Sequence, residues 1–304
     1  MIMQLLKRTR GKLTALLSLA VLAGVAAVPA VQARDSGRPA LWRVADRDTT
    51  IYLFGTIHLL PQNYQWRSRA IDKAVSGSNS LIVETIIDEK NPAGLAGELQ
   101  RLGFRPGLPP IIGRVPADKR AGLEAAMAKS GVPRAVFDRM ETWAAAFVLL
   151  GTQFKELGLQ GGDGVESVLR GSFAAAGKPV GQLETNAEQL GFFDTLPESA
   201  QRALLGGAVD SPSDMRAQFQ AMLNAWVRGD VEGIARSFNA DLAASPELRA
   251  ALLSRRNVNW SYWVQRRMAT PGTVFVAVGA GHLAGAESVV ALLQRSGYRV
   301  TRVQ

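Results

Sequence analysis

The sequence predicts an α/β protein: a mixed central sheet built from two strand-Gly-x-x-His-Leu-helix-strand halves, with a large, mostly helical insertion between them. Three observations carry that expectation. Apolar runs rich in Val, Ile and Phe stand near both ends of the 304-residue chain, and each stops at a glycine. Each is followed by a helical stretch and a second short apolar run. The intervening residues 91–270 are rich in Ala and Leu, with apolar residues at helical spacing.

The elements follow in order. A hairpin joins strands at 41–44 and 50–54 through the polar turn Asp46-Arg47-Asp48. Gly55-Thr56-Ile57-His58-Leu59 comes next, then a helix over 66–75, the breaker Ser76-Gly77-Ser78-Asn79 and the buried-type strand Leu81-Ile82-Val83-Glu84. These make the N-terminal half of the sheet, residues 41–90. In the insertion Pro116 opens a helix that stops near Gly131, residues 137–157 and 215–227 show helical spacing, and one strand at 179–183 ends in Glu184. Ser245-Pro246-Glu247 starts a helix with a capping serine and a proline in its first turn, and Thr270-Pro271-Gly272 ends it. The C-terminal half, 271–304, repeats the first: a strand at 273–278, Gly279-Ala280-Gly281-His282-Leu283, a helix at 284–295, Gly297 and a strand at 298–303. The shared order reads as a weak internal duplication.

Residues 1–33 stand apart from this pattern. Lys7, Arg8, Arg10 and Lys12 precede an uncharged stretch at 13–28, which ends in Val31-Gln32-Ala33. Basic, apolar and small-residue regions in that order are the pattern of a secretory signal peptide cleaved after Ala33. The apolar stretch of 16 residues is shorter than the roughly 20 that span a bilayer. The expectation is an exported protein, periplasmic or secreted, with one domain over 34–304 and no stable membrane span after cleavage. Losing the leader removes four cations and no acid, so the formal charge falls from +9 to +5. No Lys/Arg tract interleaved with aromatics remains, and nucleic acid is not an expected partner.

The chain has no cysteine, which excludes disulfides, thiolate ligands and a thiol nucleophile together. Neither Gly-x-Ser-x-Gly nor His-Glu-x-x-His occurs. Chemistry must come from histidine, carboxylates, hydroxyls or a metal. The only two histidines, His58 and His282, both stand at strand exits, where open α/β sheets bind ligands. If those strands are parallel neighbours, a spacing of about 4.8 Å lets both imidazoles converge on one ion. Gly55, Gly279 and Gly281 permit positive φ or close backbone approach, so each chain can turn over the site. Two imidazoles need a third donor, commonly a carboxylate, and Glu84, a charge closing an apolar strand, is the candidate. His58, Glu84 and His282 are therefore the candidate metal ligands. Glu184 is a candidate general base, or an acceptor that fixes a histidine tautomer. Trp260, Tyr262 and Trp263 read first as core aromatics at helical spacing and second as a wall of a substrate cleft.

On these residues the chain resembles the TraB/GumN group, which includes the Tiki metalloproteases and has one Gly-x-x-His motif near each end. The resemblance covers about residues 41–304. It is carried by Leu53-Phe54-Gly55-Thr56-Ile57-His58, Val83-Glu84, Lys178-Pro179, Leu183-Glu184-Thr185 with Gln189, Arg256-Asn257 and residues 276–285. It implies a fold similar to the erythromycin-esterase/ChaN-like superfamily and a divalent-metal-dependent hydrolase acting on a peptide or protein. Manganese or cobalt is the favoured ion, with zinc a further candidate. The family's glutamate and arginine map onto Glu84 and Arg256, with Arg256 stabilising an oxyanion and Asn257 shaping the site. Relatives often carry Gly-hydrophobic-Asp before a helix; here Gly164-Val165-Glu166 has the longer acid, which reads as a cap or dipole partner. The alternative is a haem- or metal-binding protein of the ChaN-like type, with the insertion as a cap over the ligand. Haem capture by histidine leaves the glutamate without a task, whereas two histidines, one carboxylate and an arginine each have one in a hydrolase.

Overall fold

The computed structural model describes residues 37–61, 63–86, 92–159, 164–209, 212–242 and 245–304. The leader expected over 1–33 lies outside the described residues. Among the described residues six strands form one sheet: β1 Leu41–Ala45, β2 Thr49–Thr56, β3 Ser80–Val83, β4 Val180–Gln182, β5 Gly272–Gly279 and β6 Val300–Arg302. Their spatial order is β4-β3-β5-β2-β1-β6. β1 is antiparallel to both of its neighbours, whereas β2, β5, β3 and β4 pair in parallel. This is the mixed sheet the sequence predicts.

β2 and β5 are parallel neighbours from Thr49 opposite Gly272 to Thr56 opposite Gly279. That register makes the two strands end level, so both histidine motifs leave the sheet together. Alternate residues serve two cores. Ile51, Leu53, Val274, Val276 and Val278 face one layer, and Phe54, Phe275 and Ala277 face the other. Burial on both faces explains why these strands read as continuous apolar runs rather than alternating ones.

The link from β2 to β3 runs through the Arg69–Gly77 helix, which buries Ile71, Ala74 and Val75 in the Phe54/Phe275 layer. The link from β5 to β6 runs through the Val289–Arg295 helix, which buries Val289, Val290 and Leu293 in the opposite layer. The motifs thus lead to opposite faces, and such divergence leaves a crevice beyond the strands' carboxyl ends. The duplication extends to element order but not to pairing, since β3 lies beside β5 while β6 pairs with β1.

Several boundaries differ from expectation. The helix expected over 284–295 begins only at Val289, because Ala280–Leu283 is a 3-10 turn and Gly285, with φ of 83°, turns the chain first. The stretch 137–157 divides into Arg134–Phe137 and Thr142–Glu156. Between them Arg139 O accepts the Arg105 N–H and Glu141 N–H donates to Gly103 O, while the Asp138 side chain accepts the Ile111 N–H. That backbone is committed to tertiary partners rather than to a continuous helix. The insertion has its own core of Ile111, Leu123, Phe137, Trp143 and Leu205. Among the described residues no helix is long and apolar enough to cross a membrane.

Candidate functional site

The second motif sets one wall of the site. His282 lies in the turn after β5 with only 8% of its side chain exposed. Its Nδ1 is 2.6 Å from Asn257 Oδ1, and the Asn257 amide nitrogen donates to Glu287 O at 2.8 Å. That second bond makes Oδ1 the acceptor, so Nδ1 carries the proton and Nε2 keeps a lone pair. The ring packs on Trp260, with centroids 4.3 Å apart. Burial, aided by Arg256 and His58 and opposed by Glu84, pushes the His282 pKa down to about 3, and the ring is neutral at ordinary pH.

Glu84 follows β3 directly. Its Oε1 accepts the Gly279 N–H at 2.6 Å, and its Oε2 accepts Arg256 Nη2 at 2.6 Å. Burial works against the charge, but His282, His58, Arg256 and the Gly279 N–H outweigh it and bring the carboxyl down to about 2. Arg256 stands one residue into the Arg255–Met268 helix, behind a π-helical turn at Ala250–Ser254. Such turns insert an extra residue and recur at functional sites. Its guanidinium lies between Phe192 and Trp260, 5.5 and 4.7 Å from their ring centroids. Burial opposes the Arg256 charge, yet the Glu184 and Glu84 carboxylates raise its pKa.

Glu184 grips Arg256 at both Nε (3.0 Å) and Nη2 (2.7 Å), and accepts Trp260 Nε1 at 2.9 Å and Gln189 Nε2 at 3.1 Å. It makes no hydrogen bond to either imidazole among the described residues; the acceptor at His282 is Asn257. Arg256 Nη1 is the least committed nitrogen, with only 3.3 Å contacts to Leu252 O and His282 Nε2. Of the aromatic trio, Trp260 is buried beside His282 and Arg256, Trp263 packs in the β2/β5 layer and Tyr262 is 55% exposed.

His58 is the opposite of His282: 64% of its side chain is exposed, and its Nδ1 meets Glu166 Oε1 at 2.7 Å. The Thr56 hydroxyl bonds to the same oxygen. Of the two roles expected for Glu166, its place in the first turn of its helix fits the dipole partner, while its side-chain bonds go to His58 and Thr56. Its carboxylate raises the His58 pKa to about 9 against the desolvation of the ring, and solvent on the open side screens that pair.

The glycines show how these groups meet. None of Gly55, Gly279 and Gly281 has a positive φ, so close approach is their physical reason. A Cβ on Gly55 would stand 3.0 Å from Ala280 Cα, and one on Gly281 would stand 2.6 Å from the Phe238 ring. A Cβ on Gly279 would lie 3.1 Å from Glu84 Oε1, 3.5 Å from His58 Nε2 and 3.6 Å from His282 Cδ2. Residues 58, 84 and 282 therefore converge on one point. They do so without closing, since among the described residues no three His, Asp or Glu side chains form a ready-made ion cage. His282 Nε2 is 3.8 Å from Glu84 Oε1.

Sequence reasoning singled out His58, Glu84, Glu184, Arg256, Asn257 and His282, and all six lie around this point. It missed the contacts of Glu166, Phe192 and Phe238. The Gly164-Val165-Glu166 phrase was a signal for the first; the two phenylalanines carry none, because an aromatic in a helix reads as core. A family model described as the TraB/PrgY/gumN family matches residues 40–302, which include both histidine motifs. No curated protein and no solved structure matches the chain.

Proposed function

The chain belongs to the TraB/PrgY/gumN family, and from that premise we propose that it is a divalent-metal-dependent hydrolase, a Tiki-like peptidase acting on a peptide or protein. The convergence on Gly279 carries the reading. Two imidazole nitrogens and a carboxylate oxygen suit manganese, cobalt or zinc. Two donors on one ion are at most about 4 Å apart at ordinary bond lengths, and the 3.8 Å between His282 Nε2 and Glu84 Oε1 fits that span. His58 completes the set from the exposed side. The order of residues 1–33 supports export to the periplasm or the medium.

A divalent ion in this cradle supplies a Lewis acid and a water acidified toward a pKa of roughly 7. The chain's own residues do the rest. His282 offers a neutral Nε2, and Glu84 stays ionised beside Arg256. Arg256 Nη1, the nitrogen not tied to a carboxylate, is the donor available for the negative oxygen that develops on a scissile carbonyl. Glu184 anchors that arginine from behind. The test is metal content and peptide hydrolysis of the mature chain beside His58→Ala, Glu84→Ala and His282→Ala. Loss of both in each variant is expected, and their survival in all three overturns the reading. A strong Soret band in the purified protein would instead identify a haem carrier.

A further inference from the structure

His58 poses a problem that His282 does not. An exposed imidazole is free to rotate, and a solvated neutral histidine favours the proton on Nε2, the nitrogen nearest Gly279. A ligand needs the opposite tautomer, with Nε2 bare. Among the described residues the hydrogen-bonding partner of the ring is Glu166, 2.7 Å from Nδ1.

Glu166 is itself held firmly. It is the second residue of the Val165–Ala175 helix, and the start of that helix is seated on the first motif by its backbone: Val165 N–H donates to Ile57 O at 3.2 Å. Val165, Leu169 and Phe173 are buried in the layer shared with Phe54 and Phe275. Gly164 touches the motif so closely that a Cβ there would lie 2.0 Å from His58 O, so only glycine permits the contact. At the other end, the Thr56 hydroxyl takes the same oxygen that meets His58. Thr56 is the first variable residue of its motif. The matching residue of the second motif, Ala280, has no hydroxyl, and His282 uses Asn257 instead.

We propose that Glu166 is the positioning residue of His58: its carboxylate, fixed by the seated helix start and by Thr56, holds Nδ1–H and, in the neutral ring, turns a bare Nε2 toward Gly279. The consequence for metal affinity rests on the metal-dependent reading above, whereas the orientation of the ring does not. Acceptors of this kind on ligating histidines change metal affinity about 10–100-fold when removed.

The two histidines make the test clean, because 15N-histidine labelling of the mature chain yields one pair of ring nitrogens for each. Spectra without metal, at a pH above both ring pKa values, should show His58 protonated on Nδ1 in the wild type. Glu166→Ala should move that proton to Nε2 and leave His282 unchanged; Glu166→Gln, which keeps an acceptor oxygen, should restore Nδ1–H. At the same pH, where both rings are neutral, calorimetric titration with Mn2+ alone should show affinity weakened about 10–100-fold in Glu166→Ala and largely regained in Glu166→Gln. A His58 proton on Nε2 in the wild type, or a tautomer that Glu166→Ala does not alter, overturns the proposal. Failure of the wild type to bind any of Mn2+, Co2+ and Zn2+ overturns the metal reading instead, and the tautomer still decides the role of Glu166.

Discussion

The two Gly-x-x-His-Leu segments leave strands that end level, yet one histidine is a wall residue and the other a rim residue. His282 is closed in by Trp260, Asn257 and Arg256 from one helix and backed by Phe238 against Gly281 from another. His58 has the start of one helix beside it and solvent on its open side. A shared phrase in the sequence therefore fixes where a side chain leaves the sheet, not what surrounds it. The surroundings come from which elements of the insertion pack on each turn, and they give one ring a low pKa and the other a high one.

The wall side should show the largest effects. Arg256→Met leaves Glu84 and Glu184 buried without their shared cation; unfolding in urea should show a loss of about 3–5 kcal/mol. The histidines themselves should then separate. His282→Ala removes a packed ring and strands Asn257, for about 2–3 kcal/mol by the same measurement. His58→Ala should change stability by no more than about 1 kcal/mol, the worth of a solvent-screened ion pair, while abolishing the proposed metal binding. Equal losses in the two variants would break the distinction between wall and rim.

pH should divide the pair by sign. His282 resists protonation in the fold down to about 3 against 6.5 when unfolded. Its contribution is whole above 6.5 and is lost as pH falls toward 3. Glu84, at about 2 against 4.5, adds to the same acid limb, losing its contribution as pH falls from 4.5 toward 2. His58, raised from 6.5 to about 9, contributes fully below 6.5 and loses that contribution as pH rises through 9. The alkaline limb is the shallower one, because solvent screens the exposed ring. Metal-free melting midpoints against pH should lose the alkaline limb in His58→Ala and flatten on the acid side in His282→Asn. Smallest of all in stability is Gly279→Ala. Its methyl meets Glu84 Oε1 at 3.1 Å and His58 Nε2 at 3.5 Å, in backbone that alanine adopts without strain. The fold should survive while Mn2+ affinity, read by calorimetry, falls.

Much of this was legible in the chain. The apolar runs before Gly55 and Gly279 gave β2 and β5, and the exit of Glu84 from β3 followed from a charge closing an apolar strand. Two histidines in matched phrases pointed to a common site. The pairing partners of β3 and β6 were not legible, because a crossover strand of three or four residues carries no address for its neighbour. Nor was the role of Glu184 as the grip on Arg256, since a strand-end acid reads the same whether it faces a histidine, an arginine or water.

The sequence by itself determined the main strands, the histidine three residues past the glycine that ends each of two of them, and the absence of thiol chemistry, because periodicity and residue type are local properties of the chain. The tertiary structure alone decided that His282 is neutral and buried, that His58 stands open beside Glu166, and that a side chain on Gly279 would crowd Glu84 and His58. Burial, tautomer and pKa depend on groups brought together from residues as far apart as Glu84 and Arg256. Only the folded chain sets the distances over which their fields act.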